Sequence, residues 1–171
     1  LYVQAADGTG SPDQLLSAGM AFPGSVTPDG RTVLMYGGAF LRQRPLAEKG
    51  SVDRLLGPSQ GVSMPEVSPD GRWMAYQSSE SGQPEVYVRP YPNVDEGRWQ
   101  ISTERGTRPA WSRNGRELFF LADYRTIMVA SYTARGDAFV FGKPQVWSPH
   151  PLMDLGSPPV DAYDLAPDGT R

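Results

Sequence analysis

Cysteine is absent from this sequence, and histidine occurs once, at His150. Disulfides, thiolate metal sites and a Cys nucleophile are therefore excluded, although the redox compartment stays open. A lone imidazole supplies at most one soft metal donor, or one general base without a second imidazole to assist it. Long apolar runs are also missing: no window approaches 18 consecutive apolar residues, and Leu1 to Gly10 show no basic stretch followed by an apolar core. Neither a membrane-spanning helix nor a secretory signal stands within these residues, and any targeting signal lies outside them. Charge of one sign is lacking too, because 16 basic and 19 acidic residues leave a net charge of -3 with no long run of either kind. The electrostatic footprint of a nucleic-acid binder is thus absent.

What the chain has in quantity is turn formers. Gly 19 and Pro 17 among 171 residues are scattered between short apolar runs, as many tight turns joining many short strands require. A hydrophobic fraction of 39% with 20% charged residues fits a folded chain of one-domain size.

The turn formers repeat. Val26-Thr-Pro-Asp-Gly-Arg31, Val67-Ser-Pro-Asp-Gly-Arg72, Trp111-Ser-Arg-Asn-Gly-Arg116 and Leu165-Ala-Pro-Asp-Gly169 are four copies of one motif. Asp29, Asp70, Asn114 and Asp168 are spaced by 41, 44 and 54 residues, the last interval lengthened by a Pro-rich insertion over Ser148 to Pro159. A period of about 40 to 45 residues is the span of one four-stranded propeller blade. Within the motif, Pro presets φ for the first turn position, Asp or Asn bonds its own backbone, and Gly takes the site with φ > 0. The motif is read as the hairpin turn between strands A and B of a blade.

Four and six residues past each Asp or Asn stand Val33 and Met35, Met74 and Tyr76, Leu118 and Phe120, and the intervening Leu34, Ala75 and Phe119 are apolar as well. Strand B is therefore predicted to be buried on both faces, between neighbouring blades. Strand C is read at Phe40 to Leu46, Glu85 to Arg89 and Thr126 to Tyr132, and strand D at Val52 to Leu56, Arg98 to Ser102 and Phe139 to Trp147. Leu1 to Gln4 and Gln14 to Leu16 read as strands C and D of a preceding blade, and Val160 to Ala166 as strand A of a following one. The expected fold is all-β: a partial β-propeller over 1–171 with four-stranded antiparallel blades, three whole (18–57, 58–103, 104–148) and two partial (1–17, 158–171). Since a propeller avoids free edges only by closing its ring, the expectation is a fragment of a longer chain or an open arc able to self-associate through its edges.

The run Val67-Ser-Pro-Asp-Gly-Arg-Trp-Met-Ala-Tyr76, followed by Glu85-Val-Tyr-Val-Arg-Pro-Tyr-Pro92, resembles the WD40-like, TolB-type (PD40) propeller repeat, and the similarity covers nearly the whole chain. A narrower resemblance joins Tyr91-Pro-Asn-Val-Asp-Glu-Gly-Arg-Trp-Gln-Ile-Ser102, Gly106-Thr-Arg-Pro-Ala-Trp-Ser-Arg-Asn-Gly-Arg-Glu-Leu-Phe-Phe120 and Phe141-Gly-Lys-Pro144 to the C-terminal propeller of bacterial serine/threonine protein kinases. That resemblance implies an extracytoplasmic or periplasmic sensor that binds a protein or a small molecule, attached to a kinase domain elsewhere in the chain. Related propellers also gate prolyl-oligopeptidase-like serine peptidases or stand alone as TolB-like interaction proteins. No kinase motif is present here: neither His-Arg-Asp, nor Asp-Phe-Gly, nor a Gly-rich loop followed by a strand-borne Lys.

Candidate chemical groups each have a simpler reading. His150, in Ser-Pro-His-Pro-Leu, is read as a loop histidine. Gly61-Val-Ser-Met-Pro65 lacks the second Gly of a nucleophile elbow, and Gly8-Thr-Gly10 lacks the third Gly and the helix of a dinucleotide fingerprint. Asp7, Asp13, Asp95 and Glu96 fall in no calcium-loop array and read as turn residues. Asp29, Asp70, Asn114 and Asp168 recur once per blade, so they are expected around the ring and not at one point. Arg31, Arg72 and Arg116, with Trp73, Trp99, Trp111 and Trp147, offer either a ligand cage or packing between blades, with Arg stems over aromatic faces. Packing is the preferred reading, above all for Trp111. No catalytic residue, metal site or cofactor is assigned to this segment, and the expected role is non-catalytic binding.

Overall fold

The computed structural model describes residues 1–4, 7–15, 21–47, 52–58, 61–148, 150–152, 163 and 165. Fifteen strands follow one another without a helix among these residues: β1 (Tyr2–Val3), β2 (Asp13–Gln14), β3 (Phe22–Val26), β4 (Thr32–Gly37), β5 (Phe40–Pro45), β6 (Asp53–Leu56), β7 (Ser63–Val67), β8 (Trp73–Ser78), β9 (Glu85–Pro90), β10 (Trp99–Gln100), β11 (Gly106–Trp111), β12 (Glu117–Ala122), β13 (Thr126–Arg135), β14 (Ala138–Phe141) and β15 (Gln145–Val146). They pair antiparallel in chain order as sheet I (β3-β4-β5-β6), sheet II (β7-β8-β9-β10) and sheet III (β11-β12-β13, with β14 and β15 both on β13), preceded by the β1-β2 pair. The fold is all-β, a partial propeller whose sheets I and II are four-stranded antiparallel blades and whose sheet III carries a fifth strand.

The three described copies of the motif close in the same way. Gly30, Gly71 and Gly115 take φ of 72°, 74° and 67°, and their N–H groups donate to the carbonyls of Thr27, Ser68 and Ser112 at 2.8, 2.8 and 3.0 Å. One side-chain oxygen of Asp29, Asp70 or Asn114 accepts two bonds. The hydroxyls of Thr27, Ser68 and Ser112 donate to it at 2.6 Å each, and the N–H groups of Arg31, Arg72 and Arg116 at 3.0, 3.2 and 2.9 Å. Each hydroxyl in turn accepts the N–H that opens strand B, from Thr32, Trp73 or Glu117, at 3.0 Å. The hydroxyl residue was not singled out in the sequence, although Ser or Thr stands two positions before the Asp or Asn in these three copies. The fourth copy has Ala166 there and, Leu165 apart, lies outside the described residues.

The bonds onto Asp29 hold its carboxyl below the ordinary value of 3.8, the Thr27 hydroxyl first and the Arg31 N–H second. A depressed folded-state pKa adds stability that is complete above the unfolded value and fades as pH falls through the folded one. Thr27→Val is therefore expected to move the Asp29 titration up toward 3.8 in a carboxylate-detected NMR experiment. An unmoved titration would remove the hydroxyl from the account.

Strand B alternates between two interfaces, as period-2 geometry demands. Met74 and Tyr76 join Leu34, Leu41, Val67 and Tyr87 in the core between sheets I and II. Trp73 and Ala75 face the other way, into the core between sheets II and III with Val86, Trp111, Leu118 and Phe120. Val33 and Met35 pack on Leu15 toward the β1-β2 pair, and Phe119 and Leu121 pack with Ile127 and Leu165 beyond sheet III. The innermost strands show what a preceding sheet contributes. Val67 and Trp111, at the ends of β7 and β11, are 7% and 4% exposed, whereas Val26, at the same place in β3, is 50% exposed. β7 packs on β3, β4 and β5, and β11 packs on β7, β8 and β9. Before β3, the described residues supply only the β1-β2 pair.

Three expected strands change shape. The third strand of sheet III runs on to Arg135, and the strand expected over Phe139 to Trp147 is two strands, with β14 on the distal half of β13 and β15 on its start. Gly142, Lys143 and Pro144 divide them, because Pro144 has no N–H to donate to a ladder. In sheet II the expected Arg98 to Ser102 shortens to Trp99–Gln100. There the Ser102 hydroxyl replaces a carbonyl in accepting the Val86 N–H at 2.8 Å. Of the predicted strand Val160 to Ala166, only Tyr163 and Leu165 are described. The Tyr163 hydroxyl donates to the Arg108 carbonyl at 2.7 Å, and burial pushes its pKa up.

Candidate functional site

The A–B turns of sheets I and II stand side by side and wall a cleft of about 490 Å³. Pro28 and Asp29 come from one turn, Pro69, Asp70 and Gly71 from the other, Gln43 and Pro45 from β5, Asp53 from the start of β6, and Tyr91 and Pro92 from the end of β9. Both turn carboxylates are held by the hydroxyl and N–H bonds described above, so their positions are set by the backbone. The Tyr91 hydroxyl donates to Gln43 Oε1 at 2.9 Å, tying sheet II to sheet I across the cleft floor. Burial raises the Tyr91 pKa, and the negative charge of Asp29 raises it further, so the phenol stays a proton donor at neutral pH.

Three carboxylates, four prolines and a tyrosine thus line one open cleft. Such a site offers rigid apolar walls and acceptors, and its charge favours a cation. Asp29 and Asp70 share this cleft because adjacent turns face the same gap between sheets, Asn114 does not line it, and Asp168 lies outside the described residues. That adjacency is a product of sheet packing. A second, smaller cavity of about 180 Å³ lies near Arg72, Trp73, Asn93 and Asp137, between sheets II and III.

The remaining sequence candidates are dispersed. His150 is exposed, and its carbonyl accepts the Ser148 hydroxyl at 2.9 Å. The Ser63 hydroxyl donates to Gly61 in the turn leading into β7, where no helix follows. Gly8 and Gly10 take φ of 75° and 74° in a turn. The Asp7 carboxylate there accepts the Thr9 N–H and hydroxyl, which lower its pKa in that order. Asp13 pairs with the buried Arg44 at 3.1 Å. Glu96 accepts from Asn93 at 3.0 Å, and Asp95 is exposed. Among the described residues, no group of three His, Cys, Asp or Glu side chains is placed to hold a metal ion.

Trp73 and Trp111 are buried between sheets II and III, Trp99 packs on them, and Trp147 sits edge-on to Phe119 while partly exposed. Arg72 lies 5.6 Å over the Trp73 ring and donates to the Gly136 carbonyl. Arg31 and Arg116 are exposed and cover no aromatic face among the described residues, which corrects the expected uniform role. The reason is local: the next residue is Trp73 in one copy but Thr32 and Glu117 in the others.

No family model matches the chain, and no curated protein matches it. Solved structures do. A protein assigned as a TolB from Agrobacterium tumefaciens superposes with a TM-score of 0.62 at 21% identity, over 85% of this chain and 56% of that one. TolB from Acinetobacter baumannii gives 0.58 at 18% identity, over 81% of this chain and 36% of that one. The chain therefore spans little more than half of one and about a third of the other, and the likeness is one of fold. No helix among the described residues is long and apolar enough to cross a membrane.

Proposed function

We propose that this chain is a non-catalytic binding segment of a TolB-like propeller and that the cleft between sheets I and II receives a basic segment of a protein partner. The observation that carries this reading is the pairing of two identically braced turns around one cleft. Asp29 and Asp70 present backbone-fixed carboxylates beside the proline walls, and a Lys or Arg stem packs on such walls while its charged head meets the acids. Pre-fixed acceptors lower the ordering cost of binding.

The motif itself supplies a clean test. Asn114 occupies the same turn position as Asp29 and Asp70 and accepts the same two bonds, so Asp29→Asn with Asp70→Asn removes charge while keeping the turns. A short blocked Arg-Pro peptide is expected to shift the Tyr91 ring resonances saturably in the native chain, with an affinity that falls as salt rises. The double variant is expected to lose that binding while its amide spectrum stays folded. Unchanged affinity in the double variant would defeat the reading.

A narrower version makes the segment the extracytoplasmic sensor of a serine/threonine kinase. Its support is the resemblance carried by Tyr91 to Ser102, Gly106 to Phe120 and Phe141 to Pro144. The surrounding reading frame tests it. An upstream catalytic domain followed by one membrane helix supports the kinase version, and a downstream Gly-x-Ser-x-Gly domain supports a peptidase-gating propeller. With neither, the TolB-like interaction protein stands.

A further inference from the structure

On the opposite face of sheet I from the cleft, Arg42 in β5 and Arg54 in β6 are directly opposed Cα partners. Like charges in directly opposed positions destabilise a sheet, and long arginine side chains are free to splay into water to avoid each other. Here they do the reverse. The Arg42 guanidinium lies 5.0 Å and the Arg54 guanidinium 4.5 Å from the centroid of the same ring, Phe40. Neither forms an ion pair among the described residues. On the same face the acid Asp13 is engaged by Arg44, while the next opposed pair, Gln43 and Asp53, lines the cleft on the other side.

The ring that both cations approach is held in place. Gly57, at φ 129°, backs the ring, and a Cβ there would lie 2.6 Å from both Phe40 Cδ1 and the Ala39 carbonyl oxygen. Arg42 is aimed by one bond, its Nη1 donating to the Gly37 carbonyl at 2.8 Å. The rest of its fork is left for another acceptor. Arg54 is exposed and Arg42 half-buried, so the pair is reachable from solvent.

We propose that Arg42, Arg54 and the Phe40 ring form a binding site for a phosphate-type dianion. Two formal positive charges gathered at one ring are neutralised by a dianion, whereas a monocarboxylate neutralises one and leaves the repulsion. A tetrahedral oxyanion also presents separate oxygens to two guanidinium forks. The site shares no residue with the cleft, so it stands or falls independently of the peptide-binding reading.

The test is an arginine side-chain NMR titration of the full chain with inorganic phosphate, against acetate at matched ionic strength. Arg42 and Arg54 Nε–H signals are expected to move saturably with phosphate and to drift without saturation with acetate, while the Tyr91 ring signals stay still. Arg54→Gln, at an exposed position, is expected to abolish saturation at Arg42 with the amide spectrum unchanged. Arg54→Lys, which keeps the charge and loses the fork, is expected to weaken binding about tenfold. Equal responses to phosphate and acetate, or undiminished phosphate binding in Arg54→Gln, would overturn the proposal.

Discussion

Replacing Phe139 with alanine is expected to lower the unfolding free energy by about 3–5 kcal/mol, the range for deleting a buried aromatic ring. Phe139 belongs to sheet III in the chain, yet its ring lies 5.1 Å from Trp73 and 5.7 Å from Trp99 of sheet II, and 5.2 Å from Tyr132 and 6.1 Å from Trp111 of its own sheet. The β13-β14 hairpin thus reaches back over the preceding sheet and inserts one ring among five, Phe141 at 6.0 Å being the fifth. Arg72 holds the hairpin tip through the Gly136 carbonyl, with a weak ion pair to the exposed Asp137 at 3.7 Å. Truncation leaves a void with apolar walls from two sheets that cannot close without moving them together. The adjacent Val140, 44% exposed against 3% for Phe139, is the control, and Val140→Ala is expected to change stability by no more than about 0.5 kcal/mol. Denaturant unfolding followed by tryptophan fluorescence measures both. A loss below about 1 kcal/mol for Phe139→Ala would mean that the hairpin does not couple the sheets.

The second large effect is expected at Glu85, a carboxylate buried at the start of β9. Its Oε1 accepts from Gln83 Nε2 at 2.7 Å and from the Arg105 N–H at 3.2 Å. Its Oε2 accepts the Ser102 hydroxyl and, at 3.2 Å, the Gly106 N–H. Gln83 lies in the turn before β9, while Ser102, Arg105 and Gly106 belong to the crossover from sheet II into β11, where the chain leaves one ladder and enters the next. Glycine is required at 106 because a Cβ there would collide with the Ser102 side chain. Glu85→Gln turns one acceptor into a donor facing donors, which leaves a buried group unpaired at a cost of about 1–3 kcal/mol. Glu85→Ala strips the acceptor from four buried or half-buried hydrogen bonds at once and is expected to cost about 3–5 kcal/mol, several times the roughly 1–3 kcal/mol of a single unpaired buried group being partly offset by relaxation. Hydrogen exchange at Arg105 and Gly106 should accelerate in both variants ahead of the strand B amides. Unchanged protection at those two amides would contradict the assignment.

The motif was legible because its physics is local. Pro28, Asp29 and Gly30 act on one another within a single turn, and the same holds for Pro69 to Gly71 and Arg113 to Gly115. Two-sided burial of strand B was legible for a related reason: Leu34, Ala75 and Phe119 interrupt an alternation that would otherwise leave one face wet. The hydroxyls of Thr27, Ser68 and Ser112 are also local, and their regular placement was a signal available to pattern reading. Glu85 was not legible as a buried acid, since its partners Ser102, Arg105 and Gly106 are 17, 20 and 21 residues further along. The division at Gly142 to Pro144 was written in the proline, but the reach of β14 over sheet II was not.

By itself the sequence determined the all-β class, the place of the A–B turns of sheets I to III and the two faces of their strands B, because these depend on backbone preferences and on alternation within a few residues. Only the tertiary structure decided that Asp29 and Asp70 flank a common cleft, that Arg42 and Arg54 meet over Phe40, and that Phe139 serves the neighbouring sheet. Those arrangements depend on the register and packing of strands distant in the chain, and no short window of residues carries that information.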